Sequence, residues 1–119
     1  MNDKELLKLA ILTILERRVG KSNAITRPDL LWQLQMPGFN LDDRRMRDCI
    51  STLQSDEPKG AWIINLQNGD GYFYAANLDE LQDALKSEFN RAVTIYHKVR
   101  SQARRASPIL AGQFTLQEG

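Results

Sequence analysis

The first pattern along the chain is a run of apolar residues at helical spacing between Asp3 and Arg18. They cover a wide face, and Asp3 is placed to cap the helix while Gly20 is placed to stop it. The pattern therefore predicts a first helix that is well buried. The apolar residues of this face are Leu6, Leu7, Leu9, Ala10, Ile11, Leu12, Ile14 and Leu15.

A second, shorter helix is predicted from Thr26 to about Met36, after a polar connector that ends in a very short edge strand at Ala24 and Ile25. Thr26 is a suitable N-cap, and Pro28 falls in the first turn, where a missing N–H costs little. The inner face of this helix is expected to comprise Leu30, Leu31, Leu34 and the aromatic Trp32.

The stretch that says most about function is Leu41 to Ser55, where the sequence predicts a third helix. Pro37 and Gly38 turn the chain before it, and the Asp42 carboxylate can accept the free backbone N–H groups of its first turn. Four apolar residues predict a side that faces a core: Leu41, Met46, Ile50 and Leu53. The solvent-facing stripe that remains carries Arg44, Arg47, Asp48 and Ser51, with Arg45 beside it.

A β-hairpin is predicted after the third helix. Apolar and polar residues alternate over residues 62–67 with the period of a strand, and the aromatic-rich segment Tyr72 to Ala75 is expected to return as its partner. The turn between them, residues 68–71, reads Asn-Gly-Asp-Gly. Tyr72 and Tyr74 could stack on bases, but alternating aromatic residues in a hairpin favour core and cross-strand packing.

Asn77 is placed to cap a long helix from about Leu78 to Ala106, which Ser107 and Pro108 end. Roughly 29 residues at 1.5 Å each span about 43 Å, more than a domain of this size needs for its own core. Heptad spacing along the helix favours a homodimer, and the alternative is that its first half packs on the first helix of the same subunit. The expected dimer interface consists of Leu85, Phe89, Ala92, Tyr96, Val99 and Ala103.

The charges of this long helix are divided between its halves. Acidic residues at positions 79, 80, 83 and 88 precede basic residues at positions 91, 98, 100, 104 and 105. The helix macrodipole explains part of this pattern, and the late cluster favours a second patch that contacts phosphates. We accordingly divide the chain into a domain over residues 1–76, the long helix over residues 77–107 and a flexible tail over residues 108–119.

Composition narrows the classes of function. The chain has 119 residues, of which 42% are hydrophobic and 26% charged, as expected for one compact domain. A net charge of +1 argues against coating nucleic acid by bulk electrostatics but leaves room for a local basic patch. Cys49 and His97 are the single cysteine and histidine, so neither an internal disulfide nor a Cys/His zinc site can be assembled.

The sequence contains no constellation that we would assign to an enzyme. Asp42 and Asp43 point apart at a helix start, and Cys49 has no histidine near it in sequence. We therefore expect no catalytic residue, metal, cofactor or small-molecule substrate. The first residues lack the layout of a signal peptide, and charges interrupt their apolar runs, which predicts a cytoplasmic protein without a membrane segment.

The order of segments along the chain resembles the winged helix domains of the biotin-operon-repressor type. The segments are the first helix, TRPDLLWQL, the turn, LDDRRMRDCISTL and WIINLQNGDGYFYA. The chain is also similar to small phage or prophage winged helix proteins, in which a D-R-x-V-R-like recognition helix precedes a hairpin ending in G-Y-x-x-A and then a long helix. The resemblance covers about Leu6 to Arg105. It implies an α+β fold, a winged helix-turn-helix with a three-helix core, a β-hairpin wing and a long C-terminal helix.

The resemblance also implies where DNA would bind. Helix-turn-helix proteins contact base edges from the start of their second helix, and arginine is the commonest bidentate reader of guanine. The third helix would therefore face the major groove, with the wing near the neighbouring backbone. The wing tip departs from the family pattern, because it carries Asp70 where Arg or Lys is common. The expected DNA contacts are Arg44, Arg45, Arg47, Ser51, Arg27 and Asn68.

The sequence thus predicts sequence-specific binding of double-stranded DNA by a homodimer, acting as a small transcriptional regulator of the phage or prophage type. One alternative is a protein–protein interaction module on the same scaffold, which the low net charge and the acidic wing tip favour. Another is a DNA-binding accessory protein in phage-like replication or packaging. Three arginines among three aspartates would also suit a solvated, salt-bridged helix face.

Overall fold

The computed structural model describes residues 2–66, 68–107, 109 and 112–114. Over these residues the chain is α+β, with four α-helices and one three-stranded antiparallel sheet. The chain divides into two compact units, Met1–Leu81 and Gln82–Gly119, and the division falls inside the longest helix. The predicted tail over residues 108–119 lies largely outside the described residues.

The predicted helices and the hairpin are all present. The helices are α1 (Asp3–Glu16), α2 (Arg27–Gln35), α3 (Asp43–Asp56) and α4 (Leu78–Ala106), and the strands are β1 (Ile25–Thr26), β2 (Ile63–Asn65) and β3 (Gly71–Tyr74). Short 3-10 turns at Lys21–Asn23 and Gly60–Trp62 were not predicted. The second of them takes Trp62 out of the predicted strand, so β2 begins one residue later.

Local capping explains where the helices begin. The predicted caps of α2, α3 and α4 are confirmed. Thr26 Oγ1 accepts a hydrogen bond from the Asp29 amide at 3.3 Å. Asp42 Oδ1 accepts one from the Arg45 amide at 2.7 Å, and Asn77 Oδ1 accepts one from the Glu80 amide at 2.9 Å. The predicted cap of α1 was wrong. Asn2 Oδ1 accepts from the Glu5 amide at 2.9 Å, and Asp3 is instead the first helical residue, where its charge complements the macrodipole.

The sheet has the order β1-β3-β2, so β3 pairs with a strand on each side. The register places Ile25 opposite Tyr72 and Ile64 opposite Phe73. A Cβ at Gly71 would overlap the carbonyl oxygen of Ile25, so glycine is needed where β1 approaches β3. Because β1 precedes α2 and β3 follows α3, the sheet joins the two ends of the helix pair.

The core of the first unit lies between the three short helices and the sheet. Its fully buried large side chains are Ile11, Leu15, Leu30, Leu34, Met46, Ile50 and Leu53. In α1 the buried residues Leu7, Ile11 and Leu15 form an i, i+4 stripe. The predicted wide apolar face was too wide, since Leu6 and Leu9 are 41% and 53% exposed.

Trp32 is also placed differently from the prediction. Its side chain is 60% exposed, whereas Leu30 and Leu34 on either side of it are fully buried. Residues two apart on a helix of 3.6 residues per turn point in nearly opposite directions. Trp32 therefore faces away from the core that its two neighbours define.

The longest helix, α4, has the bounds that the sequence predicted. Of its expected interface residues, Leu85, Phe89, Ala92 and Val99 are exposed and Tyr96 is half-buried, but Ala103 is buried within the single chain. The Tyr96 oxygen accepts a hydrogen bond of 2.9 Å from Arg100 Nη1. Among the helices described, none combines the length and the apolar character needed to cross a membrane.

One side-chain hydrogen bond fastens β3 to the loop after α3. The Tyr74 hydroxyl donates to the carbonyl oxygen of Lys59 at 2.8 Å. We expect Tyr74→Phe to lower the free energy of unfolding by about 1 kcal/mol, measured by urea denaturation. Tyr72→Phe is the matched control, because the Tyr72 hydroxyl makes no hydrogen bond to any described residue. Equal losses in the two variants would contradict a specific role for the Tyr74 bond.

Candidate nucleic-acid interface

The two faces of α3 are arranged as the sequence predicted. Met46, Ile50 and Leu53 of α3 are buried, as is Leu41 just before the helix, so one side of the helix lies against the core. Its opposite stripe is exposed to solvent and carries Arg44, Arg45, Arg47, Asp48 and Ser51. The helix therefore presents several hydrogen-bonding side chains along its first two and a half turns.

Asp43 connects two of the arginines expected to contact DNA. Its Oδ2 lies 2.9 Å from Nε of Arg47 and 3.8 Å from Nη1 of Arg27. The three side chains are 41%, 49% and 33% exposed, in that order, so the pairs contribute at most about 1 kcal/mol to stability. These ion pairs matter mainly for geometry, because they link the start of α2 to the start of α3. Asp43 with Arg47 at i, i+4 was the signal in the sequence that could have revealed this contact.

The other two arginines differ in how they are held. Arg45 Nη1 donates to the carbonyl oxygen of Asn40 at 3.2 Å, which directs this side chain toward the turn before α3. Arg44 makes no hydrogen bond or ion pair with any residue in the described part of the chain. Its five N–H donors are therefore available to a ligand.

A polar groove of about 320 Å³ runs between α3 and the hairpin. Side chains from both elements line it, among them Arg44, Arg47, Ser51, Gln54, Asn65 and Tyr72. Three of the expected DNA contacts thus share one surface. Arg45 lies outside this groove, and Arg27 is connected to it through Asp43.

Gln54 lines the groove and links α3 to β2, and sequence reasoning missed it. Its Nε2 donates to the carbonyl oxygen of Ile63 at 3.0 Å and to Oδ1 of Asn65 at 2.8 Å. These bonds hold β2 against the last turn of α3. No local signal marks Gln54, since its partners are distant in sequence and their position depends on tertiary packing.

The turn of the β2–β3 hairpin is closed by its own backbone. The Gly69 amide donates to the Leu66 carbonyl oxygen at 2.8 Å, and Gly69 has a φ of 75°, a conformation that favours glycine. Asn68 Oδ1 accepts a hydrogen bond from the Asp70 amide at 3.2 Å, so the side-chain oxygen of Asn68 is already engaged within the turn. The Arg27 amide donates to the Asp70 carbonyl oxygen at 2.7 Å and thereby ties the hairpin turn to the start of α2. Asn68 does not line the groove.

The hairpin tyrosines serve packing, as predicted. Tyr72 is 5% exposed and Tyr74 is half-buried. Burial raises the pKa of the Tyr72 hydroxyl, and the nearby Arg27 charge opposes that rise only in part. Tyr72 therefore stays neutral at physiological pH, and its side chain lines the groove.

Cys49 is a free, buried residue of α3. Burial raises the pKa of its thiol above the ordinary value of 9.0, although the charges of Lys8, Lys4 and Arg45 lower it in part. The described residues hold no group of three or more His, Cys, Asp or Glu side chains that could bind a metal ion.

The burial of Cys49 has a measurable effect on its reactivity. The thiolate is the reactive form, so a raised pKa and a closed site both slow attack on a chromogenic disulfide. At pH 8 we expect the folded protein to react roughly tenfold or more slowly than the urea-unfolded chain, with the rate rising above pH 9. Equal rates in the folded and unfolded chains would contradict the burial of this thiol.

Comparison of the chain with protein-family models, with curated proteins and with solved structures gave no match.

Proposed function

We propose that the first unit is a winged helix that binds double-stranded DNA, with α3 in the major groove and the β2–β3 hairpin as the wing. The order of elements supports this proposal: helix, short strand, two helices joined by a turn, then a hairpin. The sheet order β1-β3-β2 also supports it, because it seats the hairpin beside the helix pair.

The observation that carries the proposal is the shared groove of Arg44, Arg47 and Ser51. An arginine fork can donate two parallel hydrogen bonds to guanine O6 and N7, and serine can donate to or accept from several bases. The opposite face of α3 is packed into the core, so the helix cannot rotate away from this orientation. Reading of base edges would therefore fall to residues in the first half of α3.

The local charge sets the expected strength of binding. Arg27, Arg44, Arg45 and Arg47 are accompanied by Asp42, Asp43 and Asp48, so the surface is only weakly basic. Contact with two to four phosphates corresponds to a slope of about −2 to −4 in log affinity against log salt. Such a binder needs either base-specific contacts or a second copy to reach high affinity.

The proposal is tested by titrating the protein onto a fluorescent random-sequence duplex at several salt concentrations. We expect binding that weakens as salt rises, with a slope in the range given above. Absence of binding even at low salt would overturn the proposal in favour of a protein-interaction module. A transcriptional regulator should in addition select one preferred DNA site from a pool of random duplexes, because binding without sequence specificity enriches no site.

The acidic wing tip gives a separate prediction. Asp70 has an exposed side chain at the tip, where a winged helix approaches phosphate. We expect Asp70→Lys to tighten binding to a random duplex about three- to tenfold at low salt, because repulsion is replaced by attraction. Asp56→Lys, an equal change of charge at the exposed end of α3, is the control. A larger gain for the Asp56 variant would contradict the wing's position near DNA.

A further inference from the structure

The second unit exposes a stripe of large apolar side chains on α4. Leu85, Phe89, Ile95 and Val99 are 55%, 68%, 54% and 36% exposed. Together with Ala92 they follow one side of the helix at steps of three and four residues. Single exposed apolar residues are ordinary on a protein surface, whereas a continuous stripe marks an interaction surface.

The stripe is symmetric about Ala92. Leu85 and Val99 lie seven residues before and after it, and Phe89 and Ile95 lie three residues before and after it. Ala92 is also the midpoint of Leu78–Ala106. A two-fold interface requires a patch that is complementary to itself, and a helix paired antiparallel with its copy places positions equidistant from the axis beside each other.

The charges of α4 favour the same orientation. The half before Ala92 carries Asp79, Glu80, Asp83 and Glu88 with only Arg91 and Lys86 as bases, whereas the half after Ala92 carries basic residues and no acidic one. A parallel pair would place the two basic halves side by side. An antiparallel pair places each basic half along the acidic half of the other copy, which is favourable at moderate ionic strength.

We infer that the protein forms a homodimer through antiparallel pairing of α4, with the two-fold axis at Ala92. Leu85 then packs beside the partner's Val99, and Phe89 beside the partner's Ile95. The small side chain of Ala92 lets the two backbones approach at the crossing point. This inference goes beyond DNA binding and does not depend on it.

The orientation can be tested by disulfide cross-linking in a Cys49→Ala background. We would prepare Ala92→Cys, Leu85→Cys and Val99→Cys, with a mass tag on the last. Under mild oxidation Ala92→Cys is expected to link to itself. An equimolar mixture of Leu85→Cys and Val99→Cys is expected to give mainly the mixed dimer. Self-linked dimers of Leu85→Cys and of Val99→Cys in place of the mixed one would overturn the antiparallel orientation.

The interface itself is tested by light scattering of the full chain at about 100 μM. We expect a dimer for the unmodified protein and a dissociation constant at least about 100-fold higher for Phe89→Glu, because each copy would bury a charge in place of an aromatic ring. Ser87→Glu adds the same charge on the opposite side of α4 and should leave the dimer intact. A monomeric unmodified protein, or equal weakening by both variants, would overturn the inference.

Discussion

Replacing both Arg44 and Arg47 by alanine is expected to reduce affinity for a random-sequence duplex by roughly 10- to 100-fold at low salt and to make its salt slope shallower by up to about 2. The two side chains line one groove, so a duplex that occupies the groove loses both contacts at once. The variant also leaves Asp43 without its closest partner, which places an additional uncompensated negative charge near phosphate. Fluorescence anisotropy against salt concentration measures both quantities.

The control for this variant is Arg17→Ala with Lys21→Ala, which removes the same charge from exposed positions outside α3. It should change affinity by less than about threefold. The single variant Arg44→Ala separates the contributions, because Arg44 makes no hydrogen bond or ion pair with a described residue that its loss could disturb. If the control pair and the groove pair weakened binding equally, DNA would be held by general charge rather than by α3.

The largest expected effect on stability belongs to Gly60→Ala. A Cβ at this position would overlap the backbone carbonyl group of Leu53, a residue whose own side chain is fully packed in the core. Neither group can move without displacing the end of α3 or the start of β2. We expect a loss of about 3 kcal/mol or more in the free energy of unfolding, measured by urea denaturation.

Gly69→Ala is the matched control for that substitution. A Cβ added at Gly69 would lie in open space. The substitution therefore lowers stability only because residue 69 has a φ of 75°, which alanine adopts with a penalty of about 1 kcal/mol. A Gly60→Ala protein as stable as the Gly69→Ala protein would contradict the close packing of α3 against the 3-10 turn.

Features with local causes could be predicted from the sequence. The caps at Thr26, Asp42 and Asn77 and the bounds of α4 follow from residues within a few positions of each helix end. The buried face of α3 follows from apolar spacing in the same way. Trp32 was misplaced although the information was present, because its hydrophobicity was given more weight than its direction on the helix.

The groove could be predicted only in part. Arg44, Arg47 and Ser51 were found because one helix determines which way they face. The contributions of Gln54 and Asn65 depend on how β2 packs against α3, which no local pattern specifies. The turn geometry that engages Asn68 likewise depended on backbone conformation rather than on residue type.

The sheet order has a consequence for the kinetics of folding. The β2–β3 hairpin closes a short loop, whereas pairing of Ile25 with Tyr72 joins residues 47 positions apart. We therefore expect β1 to dock late in refolding, after the hairpin and α3 have formed. The contact between the Arg27 amide and Asp70 can form only at that step. A refolding intermediate with native-like helix content would then still lack the fixed relation between α2 and the hairpin turn.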